Sequence, residues 1–92
     1  MMIVKKLIVQ LPRGLQARHS AVFVRKAFTF KSEIVLTKNG RSANGKDIME
    51  IMNLAVQEGD DITLITDGID EQDAAKILEK ILSTRKKLIN LS

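Results

Sequence analysis

The dipeptide Asn39-Gly40 lies between two short stretches of alternating residues, and it is the tightest local constraint in the chain. Both residues tolerate the positive φ that a two-residue hairpin turn requires. The reading predicts a strand over 33–38, with Ile34 and Leu36 on one face, and a short return strand over 41–44. A lone hairpin is marginal in water, so the remaining chain must supply further strands and helices to cover it.

The flanking patterns do so. Residues 3–11 are β-rich, with Ile3, Leu7 and Val9 on one alternating face, and Pro12-Arg13-Gly14 breaks that strand. From 17 to about 30 the apolar residues Ala21, Val24, Ala27 and Phe28 recur at helical spacing. A second helical pattern begins at Asp47, with Ile48, Ile51, Met52 and Ala55 on one face. Asp47 and Glu50 have the spacing of a capping box, and Gly59 is the expected stop. Residues 61–67 read as a strand, with Ile62 and Leu64 on one face, and Asp67-Gly68 turns the chain. Asp70 is placed to cap a last helix whose apolar residues are Ala74, Ile77, Leu78, Ile81 and Leu82.

The order is therefore β-α-β-β-α-β-α. It predicts a small α+β domain, with a mainly antiparallel sheet and the helices on one face. The other face meets solvent, yet of Lys6, Ile8, Val35, Thr37, Thr63 and Ile65 half are apolar. That mismatch marks a candidate oligomer contact, and the expected state is monomer or weak homodimer.

At 92 residues the chain fits one domain, 1–92. Its 45% hydrophobic and 28% charged residues are those of a globular protein and not of a disordered one. The absence of cysteine excludes disulfides and thiolate metal sites. No signal-peptide pattern and no run long enough to span a bilayer are visible, so the expected location is the cytoplasm, with no membrane partner. The net charge of +4 is spread along the chain. Its one tight basic cluster, Arg85-Lys86-Lys87, reads as the solvated end of the last helix. With no Tyr or Trp, stacking on exposed bases is poorly supplied, and direct nucleic-acid binding is not expected.

Enzyme constellations are hard to assemble. The carboxylates of Asp60, Asp61, Asp67, Asp70, Glu71 and Asp73 fall at turns and helix starts, where capping explains them better than metal binding. No metal, cofactor or catalytic group is assigned. His19, the single histidine, lies in the first turn of the first helix beside Arg18, where free backbone N–H groups attract phosphate. Read from the residues alone, it is an exposed helix residue.

Two motifs then carry a resemblance. Gly14-Leu15-Gln16-Ala17-Arg18 resembles the active-site loop of the HPr proteins of the phosphotransferase system, written Gly-Ile/Leu-His-Ala-Arg-Pro-Ala. Residues 44–52, Asn-Gly-Lys-Asp-Ile-Met-Glu-Ile-Met, resemble the regulatory segment of the Gram-positive members, where a serine precedes Ile-Met-Gly. The resemblance runs from about residue 3 to residue 82. It implies an open-faced β-sandwich of four antiparallel strands and three helices. It also implies that Gln16 stands at the position of the family's phosphate-carrying histidine and Asp47 at that of its kinase-modified serine. The modified family protein binds the repressor CcpA in carbon catabolite repression. Members of the Crh type carry glutamine at the histidine position and serve regulation only, and this chain resembles them most.

A carboxamide nitrogen has its lone pair delocalised into the carbonyl, so Gln16 can hydrogen-bond a phosphate but cannot carry one. Asp47 has no hydroxyl to modify and supplies a permanent negative charge at a helix start, where such charge is favourable. It reads either as a phosphoserine mimic or as a helix cap alone. His19 replaces the family proline, and Glu50 replaces the usual small residue. The resemblance implies a regulatory, non-enzymatic binding protein. Its partner would be a CcpA-type regulator or a metabolic enzyme, met through Gln16, Ala17, Arg18, Asp47, Ile48, Met49 and Met52. The alternative is a phosphocarrier that uses His19.

Overall fold

A computed structural model describes residues 1–85. Its elements are β1 (Met2–Ile8), α1 (Ala17–Ala27), β2 (Glu33–Lys38), β3 (Arg41–Asn44), α2 (Ile48–Leu54), β4 (Asp61–Asp67) and α3 (Glu71–Ser83). The four strands form one antiparallel sheet in the order β1-β4-β2-β3. Leu36 pairs with Leu64 on β4 and with Ala43 on β3. These residues, with Ile34 and Ile62, present one buried face to the helices.

The helices complete the core with Phe23, Val24 and Ala27 from α1, Ile51 and Leu54 from α2, and Ala74, Leu78, Ile81 and Leu82 from α3. Each large side chain buried there contributes about 1.5–3 kcal/mol relative to an exposed one. The buried hydroxyls are all engaged. Ser20 donates to the Leu15 carbonyl at 2.8 Å, Thr66 to Glu71 O at 2.8 Å, and Ser32 to Asp70 Oδ1 at 2.6 Å.

The differences from the sequence reading have local causes. β1 ends at Ile8, because Val9, Gln10 and Leu11 bond outside the sheet, to Asp60 O and Leu82 O. α1 ends at Ala27 and not near residue 30: Phe30 N–H bonds to Ala27 O and Thr29 caps Lys26 O through both its N–H and its hydroxyl. Phe28 is consequently exposed, and the buried stripe runs through Ser20, Phe23, Val24 and Ala27. α2 stops at Leu54, with Ala55 and not Gly59 as its left-handed C-cap, at φ 56°. Gly59 instead shapes the turn into β4, where its N–H donates to Val9 O at 2.7 Å. Asp70 precedes α3 but makes no cap bond there. Its carboxylate accepts from the Ser32 hydroxyl, Lys31 N and Ser32 N, and these bonds, the hydroxyl's first, hold its pKa below the usual carboxylate range. Ile77 is partly exposed on α3. Arg85 lies two residues past the end of α3 and reaches Gln10 Oε1, while Lys86 and Lys87 lie outside the described residues.

Candidate functional site

The loop before α1 is built on two consecutive left-handed residues, Arg13 at φ 64° and Gly14 at φ 65°. A Cβ on Gly14 would stand 2.3 Å from the Val56 carbonyl oxygen, so a side chain there is excluded by backbone. The close approach lets Leu15 N–H donate to Val56 O at 2.9 Å. Two side chains from the first turn of α1 pull the loop back onto the helix. Ser20 donates to Leu15 O, and His19 Nδ1 lies 3.0 Å from Gly14 O. A carbonyl oxygen only accepts, so Nδ1 is the donor, and the tautomer that fits this contact has its lone pair on Nε2.

Gln16 is the N-cap of α1, extended at φ −79° and ψ 179°. Its carbonyl accepts the first helical bond, from Ser20 N at 2.7 Å, and its side chain makes no cap bond. No acidic residue occupies the first turn. Gln16, Ala17 and Arg18 are all exposed. The N-terminal N–H groups of the helix are thus left without a side-chain acceptor of their own, a setting that favours an incoming carboxylate or phosphate.

Asp47 caps α2 with a single oxygen, Oδ1, which accepts from Met49 N at 3.0 Å and Glu50 N at 3.2 Å. The expected capping box is only half formed. Glu50 Oε1 accepts from Asn44 N at 2.9 Å, while Asp47 N–H bonds to Asn44 O. Beyond this cap Ile48, Met49 and Met52 are 37%, 62% and 39% exposed. The helix buries Ile51 and Leu54 instead, so Ile48 is no more a core residue than Met52 is.

Met52 connects the two motifs. It lines an open cleft with Leu15, Gln16, Ala17 and Val56, and Ile48 precedes it by one helical turn. Gln16 and the apolar stripe of α2 therefore belong to one continuous surface.

The far end of α2 is held by residues the sequence reading does not single out. Lys38 Nζ donates to Ala55 O at 2.6 Å and lies 2.8 Å from Asp60 Oδ2. Arg41 donates to Asn53 O at 2.8 Å. Cations at these last carbonyls suit the helix dipole. The hydrogen bond from Lys38 and a second one from Gln57 N hold the Asp60 carboxyl below its ordinary pKa. These partners come from β2 and β3, and nothing in the local sequence around α2 announces them. Among the described residues no group of three or more His, Cys, Asp or Glu side chains is arranged to hold a metal ion. Among them also, no helix is long and apolar enough to cross a membrane.

This geometry has known relatives. The family model for the PTS HPr component phosphorylation site matches residues 3–84. The HPr-like protein Crh of Halalkalibacterium halodurans is 49% identical over 77 residues, 84% of this chain and 92% of that protein. The phosphocarrier protein HPr of Bacillus anthracis superposes with a TM-score of 0.87 at 40% identity, over 89% of this chain and 98% of that one. Crh of Bacillus subtilis, solved as a dimer with a swapped domain, superposes at 0.71 with 45% identity, over 85% and 90% of the two chains. A match over nearly all the described residues, in sequence and in fold, means that the chain belongs to the HPr family of the phosphotransferase system.

Proposed function

We propose that the protein is a regulator of the catabolite-repression type that binds other proteins and does not relay phosphate from position 16. The observation that carries this reading is Gln16 at the exposed N-cap of α1, in the loop geometry described above. A carboxamide there retains hydrogen-bonding capacity and loses nucleophilicity. The docking surface consists of Gln16, Ala17 and Arg18 with Asp47, Ile48, Met49 and Met52. Methionines suit such a surface because their side chains adapt to different partners.

In this reading the partner is a CcpA-type transcriptional regulator, and the charge of Asp47 stands in for a phosphoserine at the start of α2. The exposed Met49 and Met52 supply apolar contact beside that charge. Titration of purified CcpA with the unmodified protein, in the absence of any kinase, tests it. Saturable binding is expected. No binding at concentrations where phosphorylated HPr binds would overturn it.

One observation favours a second reading, in which His19 accepts phosphate. Its Nδ1–H is committed to Gly14 O, which leaves Nε2 as the nucleophilic nitrogen. Incubation with phosphoenolpyruvate and Enzyme I separates the two readings. A phosphoryl group that is gained by the protein and lost in His19→Ala supports the second.

A further inference from the structure

The sheet face turned away from the helices carries an apolar strip. Val4, Ile65 and Val35 are paired side by side across β1, β4 and β2, all on the outer face. Met2 precedes Val4 on the outer face of β1 and Ile8 lies beyond Lys6 on it, and Met2, Val4 and Ile8 are all more than half exposed. A half-buried antiparallel sheet ordinarily places polar residues there. The charges beside the strip are ordered. On one side of it lie Glu33 and Asp67, paired with each other, with Met2 next to Asp67. On the other side lies Lys6, in a row with Thr63 and Thr37.

Among the described residues Lys6, Glu33 and Asp67 form no ion pair. Within one chain Lys6 and Asp67 cannot meet, because their rows are four residues apart along the strands, about 13 Å. A two-fold axis along the Val4-Ile65-Val35 row removes that separation. It sets the apolar row on its own copy and lays the acidic row of each chain over the Lys6 row of the other, with Lys6 opposite Met2 and one strand spacing from Asp67. Asp61 lies one row beyond Lys6, outside the overlapping strip.

From this self-complementarity we infer that the open sheet face is a docking surface for a second copy of the chain, packed face to face. The strip measures roughly two strand spacings by a few residues, well below the ~800 Å² per partner of a standard interface. The dimer is therefore weak and governed by concentration. It leaves Gln16 and the α2 stripe free, because they lie on the helical side of the sheet. This inference is independent of the function proposed above.

The chain has no cysteine, so single introduced cysteines are clean probes. Ile65→Cys, with Val35→Cys as a second variant, is expected to form disulfide-linked dimers on mild oxidation. Phe28→Cys, exposed on the helical side, is not. In sedimentation velocity the mean mass of the unmodified protein rises from monomer toward dimer with concentration. Lys6→Glu lowers the association constant about tenfold, and Lys6→Glu combined with Asp67→Lys restores it. Three results would overturn the inference: a monomer at every concentration, a dimer that exchanges strands and does not cross-link at position 65 or 35, and a dimer indifferent to Lys6→Glu.

Discussion

The backbone N–H of Leu15 donates to the carbonyl of Val56 at 2.9 Å, and through this bond the loop before α1 is fixed to the segment that follows α2. Gln16 comes next in the loop, and Met52 lines the same cleft as Val56, so the loop and the α2 stripe share one anchor. Gly14 makes the approach possible, since any Cβ there would strike Val56 O. Gly14→Ala is expected to destabilise the protein by about 2 kcal/mol or more, through both the clash and the positive φ. Urea unfolding measures it, and a change below about 0.5 kcal/mol would mean that the loop is not held in this way.

Substitution can separate the cap formed by Asp47 from the role proposed for its charge in partner binding. Asp47→Ala removes the acceptor for Met49 and Glu50 N–H and should cost about 1 kcal/mol of stability. Asp47→Asn keeps a good cap and removes the charge, so stability should hold while affinity for CcpA falls several-fold. Unfolding and titration on the same variants check this. Unchanged affinity in Asp47→Asn would reduce Asp47 to a helix cap.

Met49 is the most exposed member of the α2 stripe, and its removal should be nearly silent in the free protein. Met49→Ala is expected to change stability by less than about 0.5 kcal/mol and to weaken partner binding about tenfold. Calorimetric titration beside a thermal melt checks both. Loss of stability with unchanged binding would place Met49 in packing instead.

The Lys38–Asp60 pair gives the fold a pH dependence of known sign. Asp60 has its pKa lowered in the folded state, first by the Lys38 hydrogen bond and then by the one from Gln57 N. Its contribution is present above the unfolded carboxylate pKa and is lost as pH falls through the lower folded value. The pair is partly solvated, so its contribution is under about 1 kcal/mol. Asp60→Asn should reduce stability at neutral pH and leave it unchanged below the folded pKa. Denaturant midpoints at several pH values test this, and a constant difference at every pH would exclude the linkage.

The course of the chain is legible where one local signal decides it. Asn39-Gly40 adopts φ 52° and 77° because only such residues close a two-residue hairpin cheaply, and both flanking strands follow with their expected bounds. Element ends are less legible, because tertiary partners set them. α2 stops at Ala55, where Lys38 and Arg41 reach its carbonyls from another layer, and not at the glycine the sequence offers. Asp70 is drawn away from its helix by Lys31 and Ser32, nearly forty residues earlier. In the candidate site, the loop and the α2 stripe are each visible as motifs. Their union through Met52 and the Leu15–Val56 bond is a long-range contact that no local pattern reports.

The regulator proposed here takes no phosphoryl group from Enzyme I, while the surface around position 16 persists. Intact mass after incubation with phosphoenolpyruvate and Enzyme I tests it most directly, on the protein and on Gln16→His. An unchanged mass is expected for the protein, and one added phosphoryl group for Gln16→His. A phosphoryl group on the unaltered protein, abolished by His19→Ala, would contradict it.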